Sequence, residues 1–145
     1  MIESILLVDD EDLFHLVFED ACSLLDITLS LQSLNSSDEA SELFKGWFDH
    51  GNNEGRPECV FVDLNIIGSS FDGIELIRKI NFDYGDGVVI GIISSSNETE
   101  EQSKAIQAGA QFWIVKSDDI EPRLEEFRSD YEGYKNKTAP FKIYK

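Results

Sequence analysis

The chain has 145 residues, 41% of them hydrophobic, with ten Phe, four Tyr and two Trp, and a formal net charge of -17. That length and apolar content fit one globular domain with a sizeable core and exclude a disordered chain. The negative charge repels nucleic acid and anionic membrane, which bind through Lys and Arg, and no apolar run reaches the length of a membrane span.

The N-terminus runs almost directly into a strand, without a basic region or cleavage motif, so no export signal is expected. Cys22 and Cys59 stand far apart in apolar settings, fit no metal spacing, and read as core residues of a reduced, cytoplasmic protein. The charge is uneven: Gly133–Lys145 holds four Lys and no acid. This basic tail is either a docking tail or a disordered end, with the second favoured. The domain proper is expected over residues 1–132.

Taken in order, Ser4-Ile5-Leu6-Leu7-Val8 is a buried strand ending in Asp9-Asp10-Glu11-Asp12. Leu13, Phe14, Leu16, Val17, Ala21, Leu24 and Leu25 then form a helical stripe, with acids at the helix start where the dipole favours them. Ile27–Leu34 alternates as a strand with one more polar face. Ser36 and Glu39 have capping-box spacing, and Ala40, Leu43, Phe44, Trp47 and Phe48 follow as an amphipathic helix. His50–Pro57 is a loop, and both His15 and His50 read as surface or loop residues.

Cys59-Val60-Phe61-Val62-Asp63-Leu64-Asn65 is the central stretch. A continuous apolar run of this kind is a strand buried on both faces, as in parallel sheets covered by helices. Asp63 then lies at the carboxyl end of a central strand, where open α/β sheets bind ligands. By position alone it is a metal ligand, a nucleophile or a solvated loop residue. Asp72-Gly73 opens a helix carrying Ile74, Leu76, Ile77 and Ile80, and Asp83–Gly87 is a turn. Val88–Ile93 is a strand ending in Ser94-Ser95-Ser96-Asn97. Asn97 and Glu100 repeat the cap pattern for a fourth helix, the least apolar of the set, which Gly109 stops. Phe112-Trp113-Ile114-Val115 is a fifth strand ending in Lys116. A last helix starts near Asp119, tolerates Pro122 in its first turn, and buries Ile120, Leu124 and Phe127.

Five alternating strand–helix pairs imply an α/β fold, flavodoxin-like: a doubly wound five-stranded parallel sheet of order 2-1-3-4-5 with helices on both faces. The strand ends then deliver Asp9, Asp10, Asp63, Ser94, Ser95 and Lys116 to one edge. Three packed carboxylates repel one another unless a cation sits among them. All-oxygen ligands with few protein contacts suit Mg²⁺. A phosphoryl group would be neutralised jointly by the cation, Lys116 and the Ser94 hydroxyl, and Asp63 is the available nucleophile.

On Leu7-Val8-Asp9-Asp10-Glu11, Val62-Asp63-Leu64-Asn65, the Ser94-Ser95 pair, Gly109-Ala110 and Lys116, residues 2–130 resemble a response-regulator receiver domain of two-component signalling. The resemblance implies that Asp63 accepts a phosphoryl group from a histidine kinase or histidine phosphotransfer protein, without the chain being an enzyme on external substrates. It implies Mg²⁺ (or Mn²⁺) held by Asp10, Asp63 and the Asn65 carbonyl, with Asp9 acting through water. Lys116, Ser94 and Ser95 would contact the phosphoryl group, and Asn65 and Ser96 would tune its hydrolysis. Ser94 would follow the phosphoryl and let Trp113, the switch aromatic, rotate inward, reshaping the surface of the fourth helix, fifth strand and fifth helix. The chain departs from the family pattern at Ser117, where Pro is usual, and in a longer loop after Asp63, expected to reach a partner or gate the site.

A free-standing receiver or phosphorelay intermediate, acting by protein contact, is the leading expectation. Its rivals are a degenerate receiver that is never phosphorylated, a Mg²⁺-dependent aspartyl phosphohydrolase, and an FMN protein. The complete acid–Ser–Lys set argues against the first. The second wants Asp-x-Asp after the first strand, and the third wants phosphate-binding amides where this chain has acids.

Overall fold

The structure, a computed structural model, describes residues 2–50, 56–84 and 87–145. Its elements are β1 (Ile2–Val8), α1 (Asp12–Leu25), β2 (Thr28–Leu34), α2 (Ser37–His50), β3 (Cys59–Asp63), α3 (Gly73–Tyr84), β4 (Val89–Ser94), α4 (Thr99–Ala108), β5 (Phe112–Val115), α5 (Glu121–Lys135) and β6 (Lys142–Tyr144). The strands form one sheet of order β2-β1-β3-β4-β5-β6, and every adjacent pair is parallel. This is the expected doubly wound α/β sheet, extended by a sixth strand.

Side chains alternate across each strand, so β3 feeds two cores. Cys59 and Phe61 face α1 and α5, where Phe14, Phe18, Leu124, Phe127 and Tyr131 are buried. Val60 and Val62 face α2, α3 and α4, with Phe44, Ile77, Ile80 and Ala105. Phe61 anchors the first core, its ring centroid 5.1, 5.3 and 5.2 Å from those of Phe18, Phe112 and Phe127. The second core leans on α4 least, since that helix buries only Ala105 and Ala108.

Local signals act where expected at two helix starts. The Ser36 hydroxyl accepts the Glu39 N–H at 3.1 Å, and Asp72 caps α3 by accepting the Glu75 N–H at 2.8 Å. At α4 the expected Asn97 cap is not made. Glu98 is the N-cap without a side-chain bond, and the Asn97 side chain instead accepts from Gln102 at 2.5 Å.

Three expectations need correction. The α1 stripe is not one buried face: Phe14, Phe18, Ala21 and Cys22 point inward, whereas Leu13, Leu16 and Leu24 are 71%, 61% and 71% exposed. Both faces of this helix are apolar, and periodicity cannot rank them. His15 is buried rather than superficial. The basic tail is not a loose end: α5 continues to Lys135, the chain turns back, and β6 pairs with β5. The side chains of His50 and Tyr84, residues 51–55 of the expected His50–Pro57 loop and residues 85–86 of the expected Asp83–Gly87 turn lie outside the described residues. No helix among the described residues is long and apolar enough to cross a membrane.

Candidate functional site

Because the strands run parallel, the residues that follow them collect on one rim. Asp9 and Asp10 follow β1, Asp63 ends β3, Ser94 ends β4 and Lys116 follows β5. In register, Asp63 lies beside Ile93, one residue before Ser94, and Ser94 lies beside Val115, one residue before Lys116. The Lys116 N–H donates to the Ser94 carbonyl at 2.8 Å, which fixes these two strand ends together.

Asp9 is fully buried and held from three directions. Its N–H donates to the Leu34 carbonyl at 3.0 Å and its Oδ1 accepts the Glu11 N–H at 2.8 Å. Its carbonyl accepts from His15 Nε2 at 2.5 Å; a carbonyl can only accept, so Nε2 carries a proton. Asp10 is half-buried, and its Oδ2 accepts the Ile67 N–H at 3.1 Å. Asp63 is 7% exposed. α3 packs directly on its backbone: the Gly73 N–H donates to the Leu64 carbonyl at 3.0 Å, and a Cβ at Gly73 would overlap the Asp63 carbonyl oxygen.

Lys116 reaches into this group. Its Nζ lies 2.6 Å from Asp9 Oδ2, 3.2 Å from Glu11 Oε2 and 3.5 Å from Asp63 Oδ2, and 4.6 Å from the centroid of the Phe14 ring. Burial, then the Asp9 charge, pushes the Asp63 carboxyl up to about 7, with Lys116 opposing and Asp10 adding to the rise. For Lys116 burial acts downward. The contact with Asp9 and the charges of Asp63 and Asp9 outweigh it, and the ammonium is held above its ordinary range.

One carboxylate oxygen from each of Asp9, Asp10 and Asp63 lies within 4.8 Å of the others. Buried Asp9 Oδ2 has the Lys116 ammonium at 2.6 Å and no other polar partner among the described residues. Three carboxylates against one ammonium leave excess negative charge in a confined space, and the donor set is all oxygen. Those residues fit a small hard divalent cation such as Mg²⁺.

Of the remaining expected residues, Ser94 is buried and its Oγ accepts the Ser96 N–H at 3.2 Å. Ser95 and Asn65 are exposed on the rim. Trp113 is fully buried on the α4 side, its Nε1–H donating to the Ser96 carbonyl at 3.0 Å. The ring expected to rotate inward is therefore already inside. The loop after Asp63 is fastened rather than free: Ser69 Oγ accepts the Ser37 N–H at 3.0 Å, Ser37 Oγ donates to the Phe71 carbonyl at 2.6 Å, and Asp38 accepts the Ser70 N–H at 3.0 Å. Glu11, one of the acids after β1, joins the site through Lys116, and His15 was not expected there. Nothing in the sequence marks His15 except its position one turn after the acids, facing inward beside Phe14.

Asp9, Asp10, Asp63, Ser94 and Lys116 thus share one rim of a doubly wound parallel sheet. The family model for the response regulator receiver domain matches residues 5–126, and the chain belongs to that family. Among solved structures, it is similar to the receiver domain of NtrX from Brucella abortus, at 28% identity and a TM-score of 0.63, covering 86% of this chain and 96% of that one. A longer structure of NtrX from Brucella abortus, in complex with ADP, matches at 24% identity and a TM-score of 0.71 over 94% of this chain; this chain spans only 29% of its length. The phosphorylated cyanobacterial phytochrome response regulator RcpA matches at 18% identity and a TM-score of 0.70, covering 96% and 97% of the two chains. A sequence comparison with curated proteins finds no match.

Proposed function

We propose that Asp63 is the phosphoacceptor of this receiver domain, taking its phosphoryl group from a phosphohistidine donor protein. The observation that carries the reading is the approach of one ammonium, Lys116, to Asp63 and Asp9 at a buried strand end with Asp10 alongside. In the transfer the donor's P–N bond breaks as a P–O bond forms to an Asp63 oxygen, and the leaving imidazole takes a proton from solvent. Asp63 must be ionised to attack. Asp10, Asp63 and the Asn65 carbonyl would hold Mg²⁺, with Asp9 acting through water. When bound, the cation neutralises the acids and the phosphoryl oxygens. Lys116 then pairs with the phosphoryl oxygens in place of the carboxylates, and the Ser94 hydroxyl turns from the Ser96 N–H to donate to one of them. Two or three such charge-assisted bonds, at about 1.5–3 kcal/mol each, suffice to shift a two-state population.

The donor protein meets the rim beside the acids. Leu13 and Leu16 of α1 and Ile67, whose N–H contacts Asp10, are 71%, 61% and 83% exposed. Apolar side chains this exposed around a charged mouth suit a partner that brings an apolar helix face.

The test is intact-mass measurement after incubation with acetyl phosphate and Mg²⁺. One phosphoryl adduct is expected on the native chain and none on Asp63→Asn. An unlabelled native chain, beside a receiver that labels, would leave a protein-interaction module that is never phosphorylated.

A further inference from the structure

The β5 edge of the sheet is closed from within the chain. Lys142, Ile143 and Tyr144 pair in register with Phe112, Trp113 and Ile114. Paired residues share a face, so Ile143 lies beside Trp113, and Phe141 and Ile143 pack against the core that contains it. On the other face Tyr144 is fully buried, its ring centroid 5.8 Å from that of Phe127.

The return is built rather than incidental. Thr138 and Ala139 both donate N–H groups to the Gly133 carbonyl, at 2.8 and 3.0 Å, and Lys137 takes φ 58. A Cβ at Gly133 would press on Ala139, so the returning chain needs glycine there. A polar latch on α5 then holds the strand. Tyr144 hydroxyl donates to Asp130 at 2.7 Å and meets the Tyr134 hydroxyl at 2.8 Å, and Lys142 lies 3.0 Å from Asp130 and 2.8 Å from Glu126.

This strand sits at the end of a bonded path from the phosphoryl site. Ser94 Oγ accepts from the Ser96 N–H, the Ser96 carbonyl accepts from Trp113 Nε1, and Trp113 lies beside Ile143. If Ser94 Oγ turns to a phosphoryl group, the Ser96 N–H loses its acceptor and the residue anchoring the indole shifts. A ring packed at full burial moves only if its cover moves.

We propose that residues 138–145 are a resident strap that holds Trp113 buried and covers the β5 edge, and that a phosphoryl group on Asp63 loosens it. The inference rests on Asp63 being the phosphoacceptor. By linkage, a strap loosened by mutation favours the phosphorylated state by the same factor that phosphorylation loosens the strap.

The test is amide hydrogen exchange on the full chain with Mg²⁺, with and without beryllium fluoride as an acyl phosphate mimic. Adduct formation from acetyl phosphate is measured in parallel by intact mass. Exchange at Ile143 and Tyr144 is expected to rise about fivefold or more, the lower range of ordinary coupling. In the full chain carrying Ile143→Ser and Trp47→Phe, acrylamide quenching of Trp113 should rise, and adduct yield at fixed donor should rise by a similar factor over Trp47→Phe alone. A normal adduct with unchanged exchange at 143–144, or equal yields with and without Ile143→Ser, overturns the strap and leaves the phosphoacceptor standing. No adduct on the native chain overturns both.

Discussion

The Lys116 ammonium lies 2.6 Å from Asp9 Oδ2, nearer than to Asp63 Oδ2 at 3.5 Å. In this state Lys116 neutralises the fully buried acid rather than the acid expected to react. Removing it strands a charge, and breaking a buried pair from one side costs about 3–5 kcal/mol. Lys116→Met should therefore lower stability by that order in EDTA, read from urea midpoints. Mg²⁺ should restore more stability in the variant than it adds to the native chain. A loss below about 1 kcal/mol would show that the pair is not holding Asp9.

Glu11 is the second carboxylate on Lys116, at 3.2 Å, and its side chain is 64% exposed. An exposed pair contributes about 0.2–1 kcal/mol, so Glu11→Gln should barely move the unfolding midpoint. The same difference releases Lys116 toward the phosphoryl group and should speed labelling by acetyl phosphate roughly two- to fivefold. Labelling slower than native would mean that Glu11 assists the transfer.

Asp63 is raised to about 7 in the folded, metal-free chain, against about 3.9 unfolded. The folded state therefore binds more protons between those values, and this group's contribution to stability falls as pH rises through the window. Asp63→Asn should stabilise the metal-free chain by on the order of a few kcal/mol at pH 8 and by little at pH 4. Guanidinium midpoints in EDTA across this range check it. A difference independent of pH would place the Asp63 carboxylate in a more solvated setting.

Ser37 is fully buried and joins α2 to the loop after Asp63, its hydroxyl donating to the Phe71 carbonyl. Ser37→Ala leaves that carbonyl unpaired, at a cost of about 1–3 kcal/mol. Amide exchange over residues 66–71 should rise while the sheet stays protected. Unchanged exchange would show that the Ser69 and Ser70 contacts suffice.

Leu16 is exposed on the second turn of α1 and absent from both cores. Leu16→Asp should leave labelling by acetyl phosphate within about twofold, since surface changes rarely exceed 0.5 kcal/mol. Transfer from a phosphohistidine protein should slow at least tenfold if the side chain reaches a desolvated contact. Equal loss with both donors would assign Leu16 to the fold.

What the sequence alone determined is what depends on short-range chemistry. The run Cys59–Val62 before Asp63 is apolar at every position, so it had to be a doubly covered strand, and parallel strands deliver their following residues to a common rim. The acids, Ser94 and Lys116 were therefore legible as neighbours. Only the tertiary structure decided what depends on distant surfaces. Which apolar face of α1 turns inward, and so buries His15 against the Asp9 carbonyl, is set by the sheet beneath it. Lys142-Ile143-Tyr144 is too short to show a period, and becomes a strand only because the turn after Gly133 lays it along the open edge of β5. A three-residue strand has no independent stability. Its existence is a property of the edge that receives it, and no local pattern could announce it.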